Sequence, residues 1–138
     1  MALQNTNPTK TKAWEKLQQH FQTMQTASMK EMFSEDASRA AKFHIKWEDF
    51  LVDYSKNRIN QETINLLLEL ANEVNLQQAI ASYFDGQAIN QTENRAVLHT
   101  ALRSPEKATV LVDGKNVMPE VYEVKSKIKT FSNEVISG

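Results

Sequence analysis

Asn60-Gln-Glu-Thr-Ile-Asn-Leu-Leu-Leu-Glu-Leu-Ala-Asn-Glu-Val74 is the stretch that decides the fold class of this chain. Asn60 is a favoured helix N-cap, because its side-chain oxygen can accept a hydrogen bond from a free amide of the first turn. Apolar residues then recur at helical spacing, and the stripe is formed by Ile64, Leu67, Leu68, Ala71 and Val74, widened by Leu66 and Leu70. A stripe this wide predicts a helix that is buried on more than one side.

Other helices are predicted on both sides of this stretch. Ser28 to Glu31 has the spacing of a capping box and predicts a short helix, and Asp36 or Ser38 is expected to start a further turn that reaches Phe43. Thr9 or Thr11 is expected to cap the first helix, and Pro119 suits the first position of the last one. Helical spacing of apolar residues predicts the other helices over about 14–24, 76–84, 97–102 and 119–135.

The apolar pattern changes to a period of two in two places, which is typical of β-strands. Residues 43–55 alternate apolar and polar side chains and predict a half-buried hairpin, and residues 109–118 predict a second hairpin around Asp113-Gly114. The predicted fold is therefore mostly α, one helical segment over residues 1–138 with two short hairpins and a mobile lead over residues 1–10. Its core is expected to contain Trp14, Phe21, Leu67, Leu68, Val97 and Leu98.

Composition excludes several classes of protein. The 138 residues have a formal net charge of −1, so no basic excess is available to bind a nucleic-acid backbone. Cysteine is absent, which fits a reducing compartment, and no apolar run approaches the length of a membrane span. We therefore expect a cytoplasmic protein without nucleic-acid or membrane partners.

Residues with catalytic potential are scattered. His20, His44 and His99 lack metal-ligand spacing, and we interpret them as structural residues, with His99 in a buried helix or an interface. Three glycines cannot build a phosphate-cradling loop, and no motif of a nucleophilic enzyme is present. The charged cluster Glu93-Asn94-Arg95 fits either a binding site or, more simply, a helix start capped by Asn90 or Thr92. We expect no catalytic, substrate-binding or metal-binding residue and no cofactor in this chain.

Three segments nevertheless resemble the amino-terminal region of the glucose-6-phosphate isomerase family: residues 51–58, 86–103 and 110–121. The most specific part is Asn90-Gln-Thr-Glu-Asn-Arg-Ala-Val-Leu-His99, because it mixes polar and apolar residues without a simple period. The resemblance implies a metal-independent enzyme of glycolysis and gluconeogenesis that interconverts glucose 6-phosphate and fructose 6-phosphate. It further implies a glutamate base, a histidine for ring opening and a homodimer.

The family's catalytic and phosphate-binding motifs have no counterpart in residues 1–138, so no site residue can be carried over. We therefore expect an amino-terminal fragment of a longer isomerase, without the sugar-isomerase domains and inactive by itself. Its last helix, from Pro119, is expected to expose an apolar face through which the fragment self-associates. The alternative hypothesis is a free-standing helical protein-interaction module.

Overall fold

The computed structural model describes residues 5–138 and shows two compact units, one over residues 5–74 and the other over residues 75–138. Residues 1–4 of the expected mobile lead lie outside the described residues, and Pro8–Lys10 of that lead form a 3-10 turn capped by Asn7. The mostly helical prediction with two short hairpins is confirmed. That the whole chain acts as a single segment stays a prediction.

The first unit contains four helices and one hairpin. The hairpin strands are antiparallel, with Trp47 opposite Phe50 at the turn. In chain order the elements are α1 (Lys12–Met24), α2 (Met29–Glu35), α3 (Arg39–Lys42), β1 (His44–Trp47), β2 (Phe50–Asp53) and α4 (Gln61–Glu73).

Side-chain caps start three of these helices where the sequence predicted them. Thr11 Oγ1 accepts a hydrogen bond from the Trp14 amide at 3.2 Å, and Ser28 Oγ accepts one from Glu31 at 3.4 Å. At the start of α4 the cap is reciprocal, because Asn60 Oδ1 accepts from the Thr63 amide at 2.9 Å while Thr63 Oγ1 accepts from the Asn60 amide at 3.1 Å. The two hydrogen bonds of this reciprocal cap satisfy amides that have no partner within the helix.

Helix α1 runs antiparallel to α4, and polar groups link the two helices along their length. The Ala13 amide donates to Glu73 Oε1 at 3.2 Å, and Lys16 Nζ lies 2.6 Å from Glu69 Oε2. The apolar residues buried in these helices are small in number, namely Ala13, Met24 and Leu66. The interface is therefore a thin apolar strip bordered by hydrogen bonds and ion pairs.

The predicted core is wrong for most of its members. Phe21, Leu67 and Leu68 are exposed, and Trp14 is only half-buried. Helix α1 covers one side of α4, so the wide apolar stripe of α4 keeps its flanks in solvent, and the prediction of burial on more than one side fails within this unit.

Arg39, at the start of α3, is the main buried link between the short helices and the segment that precedes α4. Its side chain is 4% exposed, and its guanidinium donates to three carbonyl oxygens: Nε to Ser55 at 2.8 Å, and Nη2 to Asn57 at 2.7 Å and to Ile59 at 2.9 Å. The same group lies over the rings of Phe33 and Phe43, at 5.7 and 4.7 Å from their centroids. It thereby joins α2, α3 and the irregular segment after β2.

The first hairpin is more exposed than its alternating pattern predicted. The register places Ile45 opposite Val52 and Trp47 opposite Phe50, so these four apolar side chains share one face. Each of them is 58–65% exposed, although the rings of Trp47 and Phe50 stack at 5.7 Å. The prediction of a half-buried hairpin is therefore right in its period and wrong in its burial, since nothing within the described residues covers the apolar face.

The second unit contains two helices and a small hairpin. Asp113 and Gly114 both have positive φ, 51° and 79°, which is the backbone of the type I′ turn that the Asp-Gly pair predicted. Asn116 Oδ1 accepts from the amides of Val110 and Met118, both at 3.2 Å, and so ties the hairpin to the last helix. In chain order the elements are α5 (Leu76–Phe84), a 3-10 turn (Ala101–Arg103), β3 (Leu111–Val112), β4 (Lys115–Asn116) and α6 (Met118–Ser137).

The predicted helix over residues 97–102 is wrong, because only the Ala101–Arg103 turn forms there. The Asn90 amide donates a hydrogen bond to the Arg95 carbonyl oxygen at 3.1 Å, so residues 90 and 95 form an antiparallel bridge just before the predicted helix. The Arg95 amide returns the bond to the Asn90 carbonyl at 3.3 Å. Val97 and Leu98 are consequently half-buried in extended backbone instead of lying in a helical core.

We predict that Gly86→Ala destabilises the second unit more than Gly114→Ala does. Both glycines have positive φ, which costs a residue with a Cβ about 1–2 kcal/mol. A Cβ at Gly86 would also lie 2.5 Å from the Leu111 carbonyl oxygen, whereas one at Gly114 meets nothing within 4 Å. Amide hydrogen exchange of α5 and β3 measures the difference, and equal protection in the two variants would contradict the close approach.

We also predict that Arg39→Met lowers the free energy of unfolding of the first unit by about 2–4 kcal/mol, because three hydrogen bonds are lost. The carbonyls of Ser55 and Ile59 then lack a donor, whereas that of Asn57 keeps the Ile59 amide. Arg58→Met is the matched control, since Arg58 is exposed and donates to one carbonyl, that of Gln25. Urea unfolding followed by the fluorescence of the two tryptophans, both in this unit, makes the comparison. Similar losses in both variants would show that the Arg39 network is not the main link.

Candidate functional site

The second unit contains a cleft at the point where three turns meet. The cleft has a volume of about 510 Å³, and it lies between the end of α5, the Asn90–Arg95 turn and the second hairpin. The residues that line it are Asp85, Gly86, Gln87, Ala88, Ile89, Asn94, Arg95, Ala96, Leu111, Val112 and Asp113. Sequence reasoning did not find this cleft, although the two Asp-Gly turns that border it, Asp85-Gly86 and Asp113-Gly114, were visible in the sequence.

The charged cluster at residues 93–95 forms a tight turn, so the predicted helix start is wrong, and its Asn94 and Arg95 line the cleft. Asn90 Oδ1 accepts from the Glu93 amide at 3.3 Å and from Thr92 Oγ1 at 2.8 Å, and its Nδ2 donates to Glu93 Oε2 at 3.1 Å. Asn94 has a φ of +49°, a left-handed backbone that reverses the chain direction. Asn90 therefore caps a turn that its own backbone closes with Arg95.

The electrostatics of the cleft do not favour a phosphate group. Arg95 is its cationic side chain, and its guanidinium is already paired with Glu93. Two carboxylates, Asp85 and Asp113, line the same cleft. A phosphate placed there would meet two negative groups and one neutralised positive group, so the arrangement suits a neutral polar ligand or a covering segment of protein better than an anion.

A second groove lies on the other side of the same extended stretch and is mainly apolar. It has a volume of about 440 Å³, and its lining includes Val97, Leu98, Leu102 and Val121. His99 also lines this groove but is exposed, so the prediction that it lies in a buried helix is wrong. Because His99 lies at the rim of an open groove, it is compatible with a role in an interface.

The first unit contains a hydroxyl, an imidazole and a carboxylate that lie close together in a row. Thr63 Oγ1 lies 2.7 Å from His20 Nε2, and Glu62 Oε2 lies 3.5 Å from His20 Nδ1. The order resembles the hydrogen-bonded groups of a nucleophilic triad. Sequence reasoning missed it, because His20 and Thr63 come together only through the packing of α1 on α4.

The hydroxyl of Thr63 is not free to act as a nucleophile. Asn60 donates its amide to Thr63 Oγ1 at 3.1 Å, and Asn60 Oδ1 lies 3.0 Å from the same oxygen. Asn60 occupies two hydrogen-bonding positions of the hydroxyl and His20 Nε2 occupies the third, so every position is taken by the α4 cap and by α1. We interpret the constellation as a buried polar link between α1 and α4, in agreement with the structural interpretation of His20.

The remaining candidates make contacts within the fold. His44 Nδ1 lies 3.0 Å from the Ala40 carbonyl oxygen, which anchors the first strand to α3. Hydrogen bonds from Lys42 and Ser38 lower the pKa of Asp36 to about 2, and this ion pair braces the turn around α3. Among residues 5–138, no group of three or more His, Cys, Asp or Glu side chains could hold a metal ion.

Comparison with known proteins gives the family. The family model described as phosphoglucose isomerase matches residues 53–138, which is more than half of the chain. The chain belongs to the phosphoglucose isomerase family. A curated relative, the glucose-6-phosphate isomerase of Christiangramia forsetii, is 57% identical over 136 residues, which are 99% of this chain and 25% of the relative. The chain thus spans about a quarter of the length of the curated relative that it matches.

The family resemblance seen in the sequence is thereby confirmed, and two of its three segments coincide with the cleft and the groove. Residues 86–103 and 110–121 supply nearly the whole lining of the cleft and of the adjoining groove. No helix within the described part of the chain is long and apolar enough to cross a membrane. These two family-like segments therefore form a surface that is shaped by the turns of the second unit.

We predict that Thr63→Val lowers the free energy of unfolding by about 2 kcal/mol, because His20 and the Asn60 amide each lose a buried partner. Thr63→Ser keeps the hydroxyl and should cost less than half as much. Urea unfolding of the two variants provides the test. Equal stability of the two variants, or hydrolysis of an activated ester by the wild type that Thr63→Val abolishes, would contradict the structural role.

Proposed function

We propose that this chain is the amino-terminal part of an aldose–ketose isomerase that interconverts glucose 6-phosphate and fructose 6-phosphate in glycolysis and gluconeogenesis. The observation that carries the proposal is the 57% identity over 136 residues to a glucose-6-phosphate isomerase. The matched stretch covers 99% of the chain, so the similarity is not confined to a short motif.

We further propose that residues 1–138 are inactive by themselves. Isomerisation needs a base beside the reacting carbons, donors for the developing enediolate and an anion site that positions the substrate through its phosphate. The cleft in the second unit has mixed charge and a paired arginine, and the Thr63 hydroxyl in the first unit is fully engaged. These features favour a structural role for the chain. The catalytic base and the phosphate site would then belong to the rest of the enzyme.

The proposal extends to the whole protein as the family resemblance implies. The longer isomerase would work in the cytoplasm as a homodimer, with a sugar phosphate as its small-molecule partner and without a cofactor. The absence of cysteine from this part of the chain agrees with a reducing compartment. Neither nucleic acid nor membrane is proposed as a partner, because the net charge is only −1.

The second candidate function is a helical protein-interaction module. It is supported by the apolar surfaces that the chain leaves open, namely one face of the first hairpin and a stripe along α6. Both functions share the inference that these surfaces are covered when the protein works. For the isolated chain, we propose that they cause self-association.

A chimera distinguishes the two functions. We expect that this chain, replacing the 136 matched residues of the Christiangramia forsetii enzyme, supports isomerisation of fructose 6-phosphate in a dehydrogenase-coupled assay. The matched control replaces the same residues by a flexible linker and should be inactive, because the apolar contacts of this region are lost. A folded chimera without activity would favour the interaction module over the isomerase.

The isolated chain is expected to show no turnover of fructose 6-phosphate above background and no saturable heat of glucose 6-phosphate binding at millimolar ligand. The protein should be purified from a host that lacks its own isomerase, so that contamination cannot supply the rate. Turnover that Glu93→Gln or His99→Asn abolishes would contradict the proposed inactivity and would locate a site in the cleft and groove described above.

A further inference from the structure

Helix α6 carries an apolar stripe that its own unit leaves uncovered. Four residues spaced by four, three and four positions form the stripe, and each is 53–67% exposed: Val124, Ile128, Phe131 and Val135. This spacing places them within a narrow sector of the helix surface, which is the arrangement of the contact positions of a two-helix coiled coil. The beginning of the helix is held differently, since Met118 is buried and the Tyr122 hydroxyl donates to the Ser104 carbonyl at 2.9 Å.

The charged residues on either side of the stripe are arranged so that they complement a second copy of the same helix. Lys127 and Glu134 lie on the same border, one helical heptad apart, and both positions are exposed. The opposite border carries Lys125 and Ser132. In an antiparallel pair of identical helices, the border with Lys127 and Glu134 faces the same border of the other copy. Lys127 of each copy would then meet Glu134 of the other, which forms two symmetric pairs of opposite charge.

The apolar layers fit the same antiparallel register. Val124 of one copy would pack against Val135 of the other, and Ile128 against Phe131, so the four residues of each helix form four layers. A parallel pair would instead place Lys127 opposite Ser132 and Glu120 opposite Lys125. Both members of that second pair are already engaged within the unit, because Glu120 pairs with Lys115 and Lys125 donates to the Leu102 carbonyl oxygen at 3.2 Å. The present ion pair of Lys127 with Glu123, at 2.6 Å between side chains that are both largely exposed, is weak enough to exchange.

We propose that the isolated chain forms a twofold symmetric dimer through α6, in which the two helices run antiparallel and a second copy of this chain covers the stripe. This proposal rests on the self-association proposed above and is independent of the isomerase activity. The stripe spans less than two heptads, so the dimer is weak and forms at high protein concentration.

Directed cross-linking tests the arrangement, because the chain has no cysteine of its own. Val124→Cys and Val135→Cys are mixed and mildly oxidised, and we expect the 124–135 heterodimer to exceed both homodimers. Lys129→Cys, on the other side of α6, is the matched control and should cross-link poorly with either partner. Preferential 124–124 and 135–135 products would show a parallel pair and would overturn the proposed geometry while leaving self-association intact.

A charge exchange tests the pairing in the unmodified helix. Lys127→Glu should weaken dimerisation about tenfold in sedimentation equilibrium, because two attractive pairs become repulsive. Adding Glu134→Lys to that variant should restore dimerisation, although the contact with Glu123 is not restored. The control Lys129→Glu makes the same change of charge and should leave the dimer unchanged.

A wild-type chain that stays monomeric at millimolar concentration would overturn both the dimer and the self-association, and the chimera assay would still decide the isomerase function. A dimer that is insensitive to every α6 variant would place self-association on another face, such as the hairpin. Capture of the stripe only by the remaining polypeptide of the isomerase, with no dimer of this chain, would also overturn the proposal.

Discussion

The buried guanidinium of Arg39 is the constraint on which the first unit depends. It donates to carbonyl oxygens at residues 55, 57 and 59, in a segment that forms neither helix nor strand. Backbone groups in such a segment have no regular partners, and burying them unpaired would cost more than a helix of four residues can compensate. The planar fork of arginine can reach several acceptors at once, whereas the flexible ammonium of lysine cannot hold the same geometry. The position of the hairpin relative to α3 and the entry into α4 both follow from this group.

The chain buries few large apolar side chains, and this has two consequences: polar contacts link its helices, and apolar surface stays exposed. The first unit joins α1 to α4 through Glu73, Glu69 and Thr63, with few large apolar residues buried between the helices. Meanwhile the apolar faces of the hairpin and of α6 lie in solvent. Surfaces of this kind normally mark interfaces. They occur in a chain that spans only a quarter of its relative's length.

The chemistry of the chain supports the same interpretation. Two of the segments that resemble the isomerase family shape a cleft, yet its arginine is already paired and two carboxylates line the same space. Within residues 5–138, the Thr63-His20-Glu62 constellation has a catalytic order of groups, but its hydroxyl and imidazole are engaged in the α4 cap and in helix packing. Hydrogen bonds that are satisfied within the fold stabilise it, and here they engage both the Thr63 hydroxyl and the His20 ring. The proposed isomerase function therefore places this chain in a supporting role.

The sequence by itself determined the features that depend on neighbouring residues. Ser28 and Asn60 predicted helix starts, as did Thr9 or Thr11, the alternation around residue 45 predicted a hairpin, and Asp113-Gly114 predicted a tight turn. These features could be predicted because caps and turns depend on residues only a few positions apart. The family could also be identified from the sequence, since a mixed stretch such as residues 90–99 is specific without any structure. Only the tertiary structure decided burial and long-range pairing. It showed that Leu67 and Leu68 remain exposed, that the Asn90–Arg95 pairing replaces a helix, and that His20 meets Thr63. Periodicity shows which side of an element is apolar, but what covers that side depends on residues distant in the chain or outside it.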